Sequence, residues 1–173
     1  MIESLAWVLP RPSKNKYPGG FPLHFEKKLL RELGMDGSEL ILQPFGGDAL
    51  YGIRLDLKTE ITVSTGAVHP IRPDVVADAH QLPFGDNVFD LVLLDPPYDD
   101  EHSERLYGTG HVKLNFRKYT AEAVRVAKPG GYVVVYHWKT TPSLPGAKLV
   151  KRIFLSVRTW HTLRCVHIHQ KEL

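Results

Sequence analysis

Phe89-Asp90-Leu91-Val92-Leu93-Leu94-Asp95-Pro96-Pro97-Tyr98 is the stretch on which the fold turns. Residues 89–94 are almost continuously apolar. That reads as a strand buried on both faces, as in a parallel sheet covered by other layers. The two prolines fix φ and remove two backbone donors, so the chain leaves the strand in one stiff, extended shape. Open α/β sheets bind their ligands at the carboxyl ends of the strands, where Asp95 stands. Its carboxylate and a nearby carbonyl can aim at one point, with the ring of Tyr98 beside them. Two acceptors and an aromatic face suit a planar group bearing an NH₂, such as a nucleobase edge. The plainer reading is a proline-rich turn after a buried strand, with Tyr98 a surface aromatic.

Outward from this strand the pattern recurs at shorter length. Glu39-Leu40-Ile41-Leu42 predicts a strand running into Pro44-Phe45-Gly46-Gly47, Gly52 to Leu57 a second ending near Asp56, and Asp74 to Asp78 a third. Pro22 opens a helical pattern in which Phe25, Leu29, Leu30 and Leu33 share one face, and Gly34 stops it. A helix is predicted over 116–127, stopped by Pro129-Gly130-Gly131. A fifth strand follows from Tyr132 to Trp138, then a closing pair at about 151–159 and 163–170. Crossover-linked strands closed by an antiparallel pair predict an α/β, Rossmann-like three-layer sandwich with a mostly parallel, seven-stranded sheet. Residues 1–20, rich in Pro, Gly, Lys and Arg, read as an N-terminal arm.

Composition bounds the rest. The 173 residues predict one domain over 1–173, and 43% hydrophobic with 24% charged residues excludes disorder, collagen and coiled coil. A net charge of +3 permits a polyanionic partner without demanding one. The single cysteine, Cys165, cannot form an internal disulfide, which suits a reducing, cytoplasmic setting. No apolar run is long enough to cross a bilayer, and the N-terminus does not read as a signal peptide, so no membrane partner is expected.

Asp95-Pro96-Pro97-Tyr98 after an apolar strand resembles motif IV of the class I S-adenosylmethionine-dependent amino-methyltransferases, the adenine-N6 type among them. Leu42-Gln43-Pro44-Phe45-Gly46-Gly47 resembles their glycine-bearing first motif, and Gly52-Ile53-Arg54-Leu55-Asp56 the second, whose acid binds the cofactor ribose. Ala77-Asp78-Ala79-His80-Gln81-Leu82-Pro83-Phe84 is similar to the third, where an acid meets the adenine amine. Lys128-Pro129-Gly130-Gly131 is also common in that class, and Tyr17 to Pro22 with its helix loosely resembles motif X of DNA methyltransferases. The likeness covers about residues 17–138. It implies that Pro44, Phe45, Gly46, Gly47, Asp56, Asp78, Ala79 and His80 bind S-adenosylmethionine, and that Asp95, Pro96, Pro97 and Tyr98 hold the acceptor amine. The acceptor it implies first is adenine N6 in DNA. The alternatives are RNA, a protein, a small amine, or a non-catalytic subunit that binds the cofactor for a partner.

Two independent physical points agree with the cofactor. A ribose diol is a pair of donors for which a strand-end carboxylate is a natural acceptor, and glycines let backbone approach a ligand closely. Asp56 and Asp78 taken singly are equally well turn caps. The sequence also departs from the pattern. Gln43 stands where many relatives have an acid, only Gly46 to Tyr51 separate the first two strands, and Lys58 to Pro73 is a poor helix. The helices are therefore expected to be reduced on one face, leaving it open to a homodimer or to a partner subunit that supplies target recognition. Among the remaining signals, His167-x-His169 shares a strand face without a third ligand at zinc spacing, so no metal is expected. His137 and Trp138 can line the pocket, and Lys14, Lys16, Lys113, Arg117 and Lys118 are dispersed surface charges.

Overall fold

The run Phe89–Leu94 is a strand near the middle of an eight-stranded sheet, and all of it but Asp90 is buried. The computed structural model describes residues 2–11, 20–62, 68–97, 113–157 and 163–173. In chain order it holds β1 (Glu3–Val8), α1 (Phe25–Glu32), β2 (Ile41–Pro44), β3 (Ile53–Asp56), β4 (Glu60–Thr62), β5 (Val68–Pro70), β6 (Val75–Val76), β7 (Phe89–Leu94), α2 (Phe116–Val126), β8 (Ala127–His137), β9 (Ala147–Ser156) and β10 (Arg164–Lys171). The sheet runs β1-β9-β10-β8-β7-β2-β3-β6, while β4 and β5 form a separate antiparallel pair. The neighbours β6, β3, β2, β7 and β8 are all parallel, and β10 runs against both β8 and β9.

Alternation along β7 divides the core. Leu91 and Leu93 face a layer with Phe25, Leu29 and Leu30 of α1, whereas Val92 and Leu94 face Tyr119, Ala123 and Val124 of α2. Gly34 takes φ +72° just beyond α1, a conformation that ends helices readily. Asn115 caps α2 by accepting the Lys118 N–H at 3.1 Å.

Three sequence expectations change. The sheet has eight strands rather than seven, because residues 3–8 extend it as β1, parallel to β9, instead of trailing as an arm. Trp7 of β1 is buried beside Phe25, and Lys151 of β9 bridges Glu3 at 3.0 Å and also pairs with Glu32 of α1. Second, helices are sparse on both faces, not one: among the described residues each face carries a single helix. The chain from Ala77 to Val88 is irregular, and α2 holds it instead. Arg125 donates to the carbonyls of Phe84 (2.9 Å) and Leu82 (3.1 Å), while Glu122 accepts the Leu82 N–H at 2.8 Å. Third, α2 passes directly into β8 at Ala127, so Lys128-Pro129-Gly130-Gly131 belongs to that strand.

The short first crossover does join a parallel pair, with Leu42 opposite Ile53 and Pro44 opposite Leu55. It succeeds because Phe45, Gly47 and Gly52 all adopt positive φ and fold the connection tightly. A Cβ on Gly52 would lie 2.3 Å from the Ile41 carbonyl oxygen, so only glycine permits the return.

Candidate active site

The sheet order brings the sequence-predicted residues to one edge. Pro44 ends β2, Asp56 ends β3, Asp78 to His80 follow β6, and Asp95 follows β7, at the carboxyl ends of four neighbouring parallel strands. Tyr98 lies outside the described residues, as do Lys14 and Lys16.

Phe45 sits in the turn after β2 with φ +62°, and its ring meets Tyr119 of α2 edge-on at 5.4 Å. The Gly46 N–H donates to the Leu55 carbonyl at 3.2 Å, which presses the glycine turn against the start of the Asp56 corner. Burial pushes the Asp56 carboxyl above its ordinary range, against the N–H groups of Lys58, Leu57 and Gly47 that favour its charged form. A partly dehydrated carboxylate at a strand end, backed by the glycine turn, is a suitable acceptor for a diol.

Asp78 is engaged locally. Its Oδ1 accepts the His80 N–H at 2.8 Å and meets His80 Nδ1 at 2.7 Å, while His80 Nε2 accepts the Asn115 N–H at 3.0 Å. His80 therefore carries its proton on Nδ1 and links the corner after β6 to the first turn of α2. Burial acts to raise the Asp78 carboxyl, but the His80 bonds outweigh it and the group lies below its usual value. Ala79 and His80 are buried, so their side chains serve packing and this linkage.

Asp95 differs from both. The residue is partly exposed, yet its carboxyl stands in dehydrated surroundings that push it well above the usual carboxylate range, opposed by the charge of Arg164. Pro96 is buried and Pro97 partly so, which fixes the exit from β7. A dehydrated carboxylate gains most from an N–H donor placed against it.

One residue here escaped sequence reasoning. Glu26 of α1, buried, accepts the Leu50 N–H with both oxygens at 3.1 Å and the Gln43 side-chain amide at 2.7 Å. Gln43 also donates to the Tyr51 carbonyl at 2.8 Å. An acid does serve the first crossover, then, but it arrives from α1. A cleft of about 260 Å³ opens beside this junction, lined by residues 20–27 together with Asp48, Leu50 and Tyr51.

Several solved structures share this fold. A SAM-dependent methyltransferase from Aquifex aeolicus superposes with TM-score 0.50 at 14% identity, over 90% of this chain and 100% of that one. The 1,6-didemethyltoxoflavin-N1-methyltransferase of Burkholderia thailandensis, bound to 1,6-didemethyltoxoflavin and S-adenosylhomocysteine, gives 0.52 at 12% identity, over 85% of this chain and 76% of that one. The fold is the Rossmann-like fold of the methyltransferases. No family model matches the chain. A demethylmenaquinone methyltransferase of Corynebacterium urealyticum is 34% identical over 83 residues, 48% of this chain. The chain spans only 30% of that relative's length in the match. Among the described residues, no helix of this methyltransferase-like fold is long and apolar enough to cross a membrane.

Proposed function

We propose that the chain transfers a methyl group from S-adenosylmethionine to an exocyclic amine of a nucleobase, with adenine N6 in DNA as the first acceptor. The observation that carries this reading is the dehydrated Asp95 carboxyl on a stiff Pro96-Pro97 exit, at the same sheet edge as the glycine turn and Asp56. The residues present fit the cofactor. Asp56 would accept its ribose hydroxyls, the Phe45-Gly46-Gly47 turn would pass close to it, and the corner at Asp78 to His80 would border its adenine. When bound, the cofactor supplies an electrophilic methyl group on a sulfonium centre.

The chain's own residues then have defined tasks. Asp95 and a carbonyl of the proline turn hold the two amine hydrogens, which orients the nitrogen lone pair in line with the incoming carbon. As positive charge grows on that nitrogen, the Asp95 carboxylate stabilises it at short range. Its raised proton affinity also fits it to take the surplus proton once the new N–C bond exists. Tyr98, next in sequence, is assigned to stack on the base.

A small ring compound is the second reading, favoured by the 34% identity to a demethylmenaquinone methyltransferase. Transfer of radiolabelled methyl from S-adenosylmethionine to DNA, RNA, nucleosides and a quinol, run in parallel, separates the readings. Label in DNA, recovered as N6-methyladenine, is the expected result. Label confined to the quinol would replace the first reading by the second.

A further inference from the structure

We propose that the solvent face of α1 is a docking track for the phosphate backbone of a nucleic-acid strand. The inference rests on the nucleobase reading above and names how the rest of that polymer is held. Lys27, Lys28 and Arg31 of α1 and His24, the residue just before its first turn, border one groove, and all four are exposed. With Glu32 they line an open groove of about 540 Å³. The one acid of that groove is partly offset, because Lys151 pairs with Glu32 while also bridging Glu3. Among the described residues, Lys27, Lys28 and Arg31 have no acidic partner, while the Lys28 ammonium is held 4.5 Å over the Trp7 ring. A cation–π contact fixes the position of the charge without cancelling it.

Position supports the assignment as well as charge. His24 and Lys27 line both this groove and the cleft beside Asp48, Leu50 and Tyr51, so a continuous path leads from the first crossover onto α1. Lys27 and Arg31 lie about 6 Å apart along the helix axis. One strand of a duplex carries a charge about every 3.4 Å of axis, so that span matches roughly two phosphates. An anionic lipid surface is the competing occupant. It is disfavoured because the cations line a groove and the apolar side of α1, Phe25, Leu29 and Leu30, is buried in the core.

The test is fluorescence anisotropy of the full chain with a labelled 20-nucleotide DNA, single-stranded and duplex, across a salt series. The proposal expects K27Q/K28Q/R31Q, folded by circular dichroism, to bind at least ten-fold more weakly, with its salt slope reduced by about 2. It expects K148Q, an exposed lysine of β9 that does not line the groove, to change neither quantity. Equal loss in K148Q, or unchanged affinity in the triple variant, overturns the proposal. So does a triple variant that loses only binding to phosphatidylserine vesicles. Radiolabelled methyl transfer reports on the nucleobase reading separately: its absence from DNA, RNA and nucleosides alike, with the DNA-binding track intact, removes that reading and leaves this one.

Discussion

Gln43 Nε2 donates to Glu26 Oε1 at 2.7 Å, tying the end of the central strand β2 to the first turn of α1. Both residues are buried, and burial raises the Glu26 carboxyl against the bonds from Gln43, Leu50 and Tyr51. The contact fixes the helix that carries the basic face to the turn that carries the glycines.

Removing that acid should be costly. Glu26→Ala leaves the Leu50 N–H and one of the two Gln43 amide hydrogens without an acceptor, each costing about 1–3 kcal/mol when buried. Urea unfolding should show a loss of about 2–4 kcal/mol, and a loss below 0.5 kcal/mol would mean that water replaces the carboxylate freely.

Gly52→Ala tests the first crossover. The added Cβ meets the Ile41 carbonyl oxygen at 2.3 Å in a backbone with φ +73°, so β2 and β3 cannot keep their register. The expected outcome is a loss of about 3 kcal/mol or more, seen as a lowered urea midpoint or an insoluble chain.

Much of this was legible in the residues, and the failures have physical causes. The strands β2, β3 and β7 and their terminal acids could be read because short apolar runs ending in Asp, Pro or Gly are local signals. β1 could not. Among the described residues Glu3 to Val8 pairs only with residues 151–156, and its neighbours in sequence are prolines and cations that suggest an arm. The first crossover looked too short because its economy lies in three positive-φ residues, one of them Phe45, which no composition rule marks. Glu26 was hidden for a similar reason. On a basic helix it reads as a surface acid, and only the tertiary meeting with Gln43 and Leu50 buries it.

Acid should destabilise the fold through β10. His167 and His169 are buried, and burial pushes each down to about 4 from an ordinary 6.5. The unfolded chain therefore takes up protons first, so stability is intact above pH 6.5 and falls as pH drops toward 4. Each histidine contributes up to about 3 kcal/mol to that loss. Thermal melts from pH 7.5 to 4 should show the decline, reduced in His169→Gln. A melting temperature flat across the window would contradict the buried, neutral assignment.

Asp56→Ala should weaken S-adenosylmethionine binding by about 1–3 kcal/mol, the worth of a charge-assisted hydrogen bond, if the carboxylate holds the ribose. Titration calorimetry on a folded variant checks it. Unchanged affinity would leave Asp56 as the cap of its own turn, where it already accepts the Leu57 N–H at 2.8 Å.

The central claim is that Asp95 holds the acceptor amine, and Asp95→Ala measures it most directly. Radiolabelled methyl transfer to adenine-containing DNA and calorimetric binding of S-adenosylmethionine are followed on the same preparation. The account predicts that transfer falls by at least 100-fold while cofactor affinity stays within about two-fold of the unsubstituted chain. Transfer at the original rate, or lost cofactor binding with turnover preserved at saturating cofactor, would contradict it.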